Sequence, residues 1–381
     1  MNILLTYRPH TRSVEKIYTL SDREKRLLNV LGNDPAASLQ ELVSATSYKW
    51  TSTVAKKLQQ FKTCNILFGP SYYLDIGKLC RNRLAKLFII IETHKSFETV
   101  LSYLSVIRSL GWVFPVLTPR HSMLIAGFYS SDNAQMKSLF YLLKKNGIIS
   151  DYVIRTSYWR RIMNLPNFYG DPVPSVDSLL EPVSVPPYSY GQFLTEWSEC
   201  DIAILPYFLT GYKGSKLIEI LRTEKEHERH WTYNQISYSY KKMSTDGLIT
   251  REYALSPFPY YQCVHFILFL RSDNKKTMLN ILNNFGKDER VYTEHMPFKG
   301  WGLIECISHP RFLINLLNRL DCIEEITEKE LYHVRSLLPE KYWLSRTPEF
   351  PYNFDTHTVA YPYTLYRETL KEMMENDEKV L

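Results

Sequence analysis

Long apolar runs, paired cysteines and catalytic signatures are what this sequence lacks. Its longest apolar run, as at Leu87-Phe88-Ile89-Ile90-Ile91, is five residues, far short of the roughly 20 needed to cross a bilayer. Residues 1–20 carry Arg8, Arg12 and Lys16 without a continuous apolar core, which argues against a secretory leader. The expected compartment is therefore the cytoplasm, with no membrane partner. The six cysteines (Cys64, Cys80, Cys200, Cys263, Cys306, Cys322) include no C-x-x-C pair. That spacing argues against a zinc ribbon and a disulfide scaffold, and leaves free structural thiols. There is no G-x-S-x-G, no H-E-x-x-H and no convincing carboxylate pair, and "GYKGSK" at 211 lacks phosphate-loop spacing. His94, Arg120, His121 and His295 could line a site at strand ends, but a histidine in such a loop reads more simply as a surface or structural residue. No catalytic residue, metal ligand or cofactor is assigned, and the chain is read as a non-enzyme.

A further absence is local. The stretch "STVAKKLQQFKTCNIL" at 52–67 has no glycine, no proline and no acid, yet it carries three lysines. Val54, Leu58 and Phe61 give it one apolar stripe at helical spacing. Its other face is wholly basic or neutral, as a helix lying against an anionic partner requires. The net charge of +6 permits such a partner without demanding one.

At 381 residues the chain is long enough for two to four domains. It is written twice, with a period of about 180 residues. Proline-rich stretches at 164–188 and 339–363 each stand by a Tyr-Trp pair, Tyr158-Trp159 just before the first and Tyr342-Trp343 near the start of the second. In the first copy Ser21 with Glu24, and Ser38 with Glu41, form capping-box patterns before two helices. The lysine-bearing helix comes third, and "ILFGPSYYL" predicts a hairpin around Gly69-Pro70. In the second copy Ser198 and Asp201 cap a helix containing Pro206, and Ile236, Tyr240 and Met243 stand where Val54, Leu58 and Phe61 stood. Each helical trio is followed by a strand-helix-strand-strand-helix-strand pattern, the last strand of the second copy being read from "CIEEIT".

The expected fold class is α+β, with two winged helix-turn-helix domains (18–78 and 195–257) alternating with two ferredoxin-like βαββαβ domains (84–160 and 260–338). The segment 161–194 reads as a proline-rich linker and 339–381 as a proline-rich C-terminal tail.

The stretch "LSDREKRLLNVLGNDPAASLQELVSATSYKWTSTVAKKLQQFKTCNILFG" resembles the DNA-binding domain of the Lrp/AsnC (feast/famine) transcription regulators. The resemblance lies in Leu20-Ser21-Asp22, Leu27-Leu28, Asp34-Pro35, Ser38-Leu39 with Glu41-Leu42, and Ser52-Thr53-Val54. Asn65 replaces the glycine that usually ends the third helix in that family, whereas Gly247 is present in the second copy. The resemblance implies double-stranded DNA as partner, a small-molecule effector and a homodimer.

Carried onto this chain, the DNA contacts would come from Tyr48, Lys49, Thr51, Ser52, Lys56, Lys57 and Gln60. Arg81 and Arg83, with Lys78 and Lys86, would continue that surface. In the second copy the corresponding residues are Asn234, Gln235, Lys241 and Lys242. The same architecture also resembles the sirohaem decarboxylases, which usually carry an aromatic-Pro-Tyr-Asn segment between the second and third sandwich strands. Here those places read "TPRHS" and "PFKGW", while "FPYNF" stands at 350, in the tail. A tetrapyrrole enzyme is therefore the alternative, and a non-DNA interaction protein the third reading.

Overall fold

The computed structural model describes residues 19–118, 122–209, 216–334, 344–345 and 348–380. The fold is α+β, with two winged helix-turn-helix domains alternating along the chain with two ferredoxin-like domains. The first copy contains α1 (Asp22–Asn33), α2 (Leu39–Ala45), α3 (Thr51–Thr63), β1 (Leu67–Leu74) and α4 (Ile76–Leu79). Its sandwich follows as β2 (Ala85–Thr93), α5 (Phe97–Leu104), β3 (Leu110–Val116), β4 (Ser122–Ser130), α6 (Asn133–Lys145) and β5 (Asp151–Ser157). A short β6 (Ile162–Asn164) leads to the second copy, with α7 (Glu199–Leu209), α8 (Leu217–Glu226), α9 (Tyr233–Thr245) and β7 (Ile249–Leu255). The second sandwich is β8 (Val264–Arg271), α10 (Lys275–Asn284), β9 (Tyr292–Pro297), β10 (Trp301–Ser308), α11 (Pro310–Asp321) and β11 (Glu328–His333). Then come β12 (Leu344–Ser345), β13 (Tyr352–Asn353), β14 (Thr358–Val359) and α12 (Tyr363–Val380).

Compactness divides the chain differently from sequence order. The described residues of one unit fall in Met1–Pro70, Arg161–Pro187 and Glu252–Trp343, and those of the other in Ser71–Arg160, Tyr188–Arg251 and Leu344–Leu381. Each unit thus joins the helix-turn-helix of one copy to the sandwich of the other.

In the first unit, Leu27, Leu28, Leu31, Leu42, Val54 and Phe61 close a three-helix core that also takes in Phe168 and Leu255. The capping boxes form as the sequence predicts: Ser21 N–H donates to the Glu24 carboxylate at 2.8 Å, and Ser38 N–H to Glu41 at 2.7 Å. Asn65 takes the left-handed conformation (φ 54°) that ends α3, since asparagine enters that region more easily than other non-glycine residues. The sheet of this unit runs β11-β8-β10-β9-β6. Four of these strands have the ferredoxin-like order; the fifth comes from the segment read as a linker. Phe168 of that segment is 1% exposed, and Asn167 accepts from Asn29 Nδ2 at 3.3 Å while donating to the Asp288 carbonyl at 3.0 Å. Prolines here prevent helix without preventing packing.

Two other expectations change. "CIEEIT" is turn rather than strand: Ile326 N–H bonds back to the Ile323 carbonyl at 3.1 Å, and Ile323 is buried with Phe312, Leu316 and Leu320 of α11 in the sandwich core. The last strand comes later, where the alternating EKELYH sets Glu330 and Tyr332 opposite Phe269 and Ile267. The predicted hairpin is instead one strand, β1, unbroken through Gly69-Pro70 and paired with β7. In the first unit Ser256 N–H reaches the Ile66 carbonyl at 2.8 Å; in the second Asp75 N–H reaches the Leu248 carbonyl at 2.9 Å. A partner strand from the second copy satisfies the backbone groups that a hairpin would have paired.

In the second unit the sheet runs β12-β3-β4-β2-β5. Leu87, Ile89 and Ile91 alternate into a core that continues through Ile204, Phe208, Ile236 and Met243 of the helical trio. Gly247 ends α9 with φ 68°. The tail is part of this unit rather than an appendage. Leu344 pairs with Val113, and Tyr361, Tyr363, Tyr366 and Leu370 join the core. The Tyr363 hydroxyl lies 3.1 Å from Ser130 Oγ and accepts from Ser131 N–H at 3.1 Å.

Candidate nucleic-acid interface

Helix α3 exists because Val54 and Phe61 supply a fully buried stripe against α1 and α2, while its remaining positions are free to be polar. It begins after Trp50 with no side-chain cap and no acid in its first turn. Lys49, Thr51, Ser52, Lys56 and Gln60 are exposed, and Tyr48 is half-buried. Trp50, which sequence reasoning passed over, is 70% exposed beside the helix start. Its signal was available: a large ring just ahead of the helix and off the apolar stripe. Unsatisfied N–H groups at a helix start favour anions, and the local lysines add to that potential.

Lys57 departs from the expectation of a free phosphate ligand. Its Nζ lies 2.8 Å from Glu24 Oε1 and 3.1 Å from Gln60 Oε1. Glu24 is only 6% exposed. Burial acts to raise its carboxyl, but the bonds from Lys57 and from Ser21 outweigh it and hold the pKa below the ordinary value. The Lys57 ammonium is correspondingly raised, first by its bond to Glu24. This lysine ties α3 to α1. A phosphate would have to compete with that pair, whereas Lys49 and Lys56 are exposed.

In the second unit, α9 presents Asn234, Gln235, Tyr238 and Lys241 to solvent. Gln235 serves as a cap, its Oε1 accepting from Thr232 N–H at 2.8 Å. Lys242 is held by Asp201 at 2.8 Å and by the Glu196 carbonyl at 2.7 Å, so its charge is already matched. Arg81 and Arg83 also lie in this unit. Arg81 Nη2 is 3.2 Å from Glu196, and the Arg83 guanidinium sits 4.0 Å from the centre of the Tyr158 ring.

Two of the histidine candidates lie among the described residues. His295 is 1% exposed within β9, where burial lowers its imidazole to about 4. His94 is exposed in the first sandwich, and Arg120 and His121 lie outside the described residues. No group of three metal-ligating side chains occurs among the described residues. No helix among them is long and apolar enough to cross a membrane.

No protein-family profile matches this chain, and no curated protein matches it in sequence. Among solved structures it is similar to the siroheme decarboxylase NirDL at 11% identity, over 94% of this chain and 100% of that one, with a TM-score of 0.46. It is also similar to AsnC of E. coli at 14% identity, over 39% of this chain and 99% of that one, with a TM-score of 0.30. LrpC of B. subtilis is matched at 12% identity over 37% of this chain and 96% of its own, again with a TM-score of 0.30.

Proposed function

We propose that this chain is a sequence-specific DNA-binding transcription regulator whose recognition helix is α3. The outer face of α3 carries the reading: Lys49, Trp50, Thr51, Ser52 and Lys56 are exposed around a helix start that bears no acid. In helix-turn-helix proteins, side chains near that start reach base edges, while lysines further along bond phosphates and supply affinity without sequence information. A small-molecule effector and a dimer of chains belong to the same reading. Fluorescence anisotropy with duplex genomic fragments at low salt tests it, and saturable binding is the expected result. Negligible binding at low salt would leave the chain as a non-DNA interaction protein. Because α3 and α9 offer different side chains, selection from a random duplex library should return an asymmetric site. A perfect short palindrome bound by a single chain would contradict that.

A second reading, a tetrapyrrole enzyme, is favoured by one observation. Phe350 and Pro351 of the FPYNF stretch in the tail line a cavity of about 840 Å³ in the second unit, with Arg108, Leu365 and Tyr366. Against it, Arg108 is already paired with Glu349 at 3.1 Å. Added sirohaem separates the readings: a changed absorbance spectrum supports the enzyme, and an unchanged one removes it.

A further inference from the structure

Arg81 and Arg83 looked in sequence like phosphate ligands of a DNA surface, yet the structure builds them into the wall of a cavity. That cavity, of about 560 Å³, lies wholly within the second unit. Its aromatic walls are Tyr158, Trp159, Tyr190 and Phe193, and no aspartate or glutamate lines it. A volume of this order is typical of small-molecule sites, and this one is lined about equally by polar and apolar surface.

The polar groups are held in place. Arg81 N–H donates to the His357 carbonyl at 2.9 Å, and Asn82 is fixed on both sides by the Val359 backbone, at 2.8 and 2.9 Å. The backbone between the two arginines is therefore set before anything binds. Tyr158, which carries the Arg83 guanidinium on its face, is itself anchored by Asn133 Nδ2 at 2.9 Å. Gly77 and Gly191, which also line the cavity, are fixed as well. Asp75 accepts from Gly77 N–H at 3.0 Å and from Gly191 N–H at 2.9 Å, and a Cβ on Gly77 would lie 2.3 Å from the Gly191 carbonyl. The two backbones touch there, and only glycine allows it.

The two arginines differ in their commitments. Arg81 shares an exposed ion pair with Glu196, which also faces His357 at 3.3 Å; such exposed pairs are weak. The Arg83 guanidinium lies over the Tyr158 ring, 4.0 Å from its centre, and no ion pair holds it among the described residues. A stacked guanidinium keeps its in-plane N–H fork free for a carboxylate or phosphate.

We propose that this cavity binds a small anion bearing a planar ring, with the anionic group on Arg83, assisted by Arg81, and the ring against Trp159. A mononucleotide and an aromatic carboxylate share that chemistry. The proposal is independent of DNA binding through α3, whose residues belong to the other unit.

Calorimetric titration of the full chain with AMP and with benzoate tests it, using adenosine and inorganic phosphate as controls lacking the charge or the ring. Saturable binding of AMP or benzoate is expected, and whichever binds identifies the source of the anion. Arg83→Gln, a change at an exposed position that should leave the thermal midpoint in place, should weaken that binding at least tenfold, and Arg81→Gln less. Undiminished affinity in R83Q, equal binding of adenosine or phosphate, or no binding of either anion at millimolar concentration would overturn it.

Discussion

In α1 the third residue after the cap is Glu24, and Lys57 of α3 reaches it at 2.8 Å; in α7 the same place holds Asp201, and Lys242 of α9 reaches it at 2.8 Å. Each helix-turn-helix thus uses the carboxylate of its first capping box to hold its third helix. The lysines do not occupy equivalent positions. With Val54 matched to Ile236 and Phe61 to Met243, Lys242 stands opposite Gln60 and so lies nearly one turn further along. The clamp is the same, but what remains outside it differs. Around the start of α3, Lys49, Lys56 and Trp50 are exposed with no acid in the first turn, whereas α9 shows tyrosines, a capping glutamine and one exposed lysine. Duplication kept the mechanics and let the outer face diverge.

The strongest way to break this comparison is through the clamps. Asp201 is 1% exposed and Lys242 only partly so. Asp201→Ala leaves that lysine without its ion partner and should cost the second unit about 3 kcal/mol in urea denaturation. Glu24→Ala should cost the first unit less, about 2 kcal/mol, because the Lys57 side chain is 33% exposed and water can take over. No loss in either would show that the pairs do not hold the helices, and equal losses would show that exposure of the lysine does not set the cost.

Acid sharpens the same point. The Glu24 carboxyl is held below its ordinary value of 4.5, so its contribution to stability is complete above that pH and fades as pH falls through the lower folded value. The thermal midpoint of the first unit should therefore drop in acid. Glu24→Gln should remove that part of the pH dependence.

Much of this was legible because it is local. Capping boxes, the stripe of Val54 and Phe61 and the βαββαβ order are written over a few residues each, as periodicity or spacing. What was not legible is long-range. Lys57 and Glu24 are 33 positions apart, and nothing in either helix alone says that they meet. The wing looked like a hairpin because Gly69-Pro70 is a turn signal, but the partner strand stands far along the chain at β7. The proline-rich segments looked like connectors because proline denies helix and sheet ladders. Their burial rests on Phe168 in one unit and on Tyr361 and Tyr363 in the other. Arg81 and Arg83 looked like part of a DNA surface because the rings beside them, Phe193 and Tyr158, come from distant segments, although both arginines remain exposed.

Smaller effects separate the two outer faces. Trp50→Ala should leave the fold intact, since the ring is 70% exposed, and weaken duplex binding by about 1 kcal/mol through lost apolar contact. Lys241→Ala on α9 should change binding least. If the two substitutions were equivalent, the divergence of the faces would have no functional meaning.

The most direct test is the salt dependence of duplex affinity for the parent chain and for Lys49→Ala/Lys56→Ala. If both lysines neutralise phosphates, the variant should lose about 0.9 per lysine from the slope of log affinity against log salt, and should weaken on all sequences alike. An unchanged slope would contradict the assignment of α3 as the DNA-contacting helix.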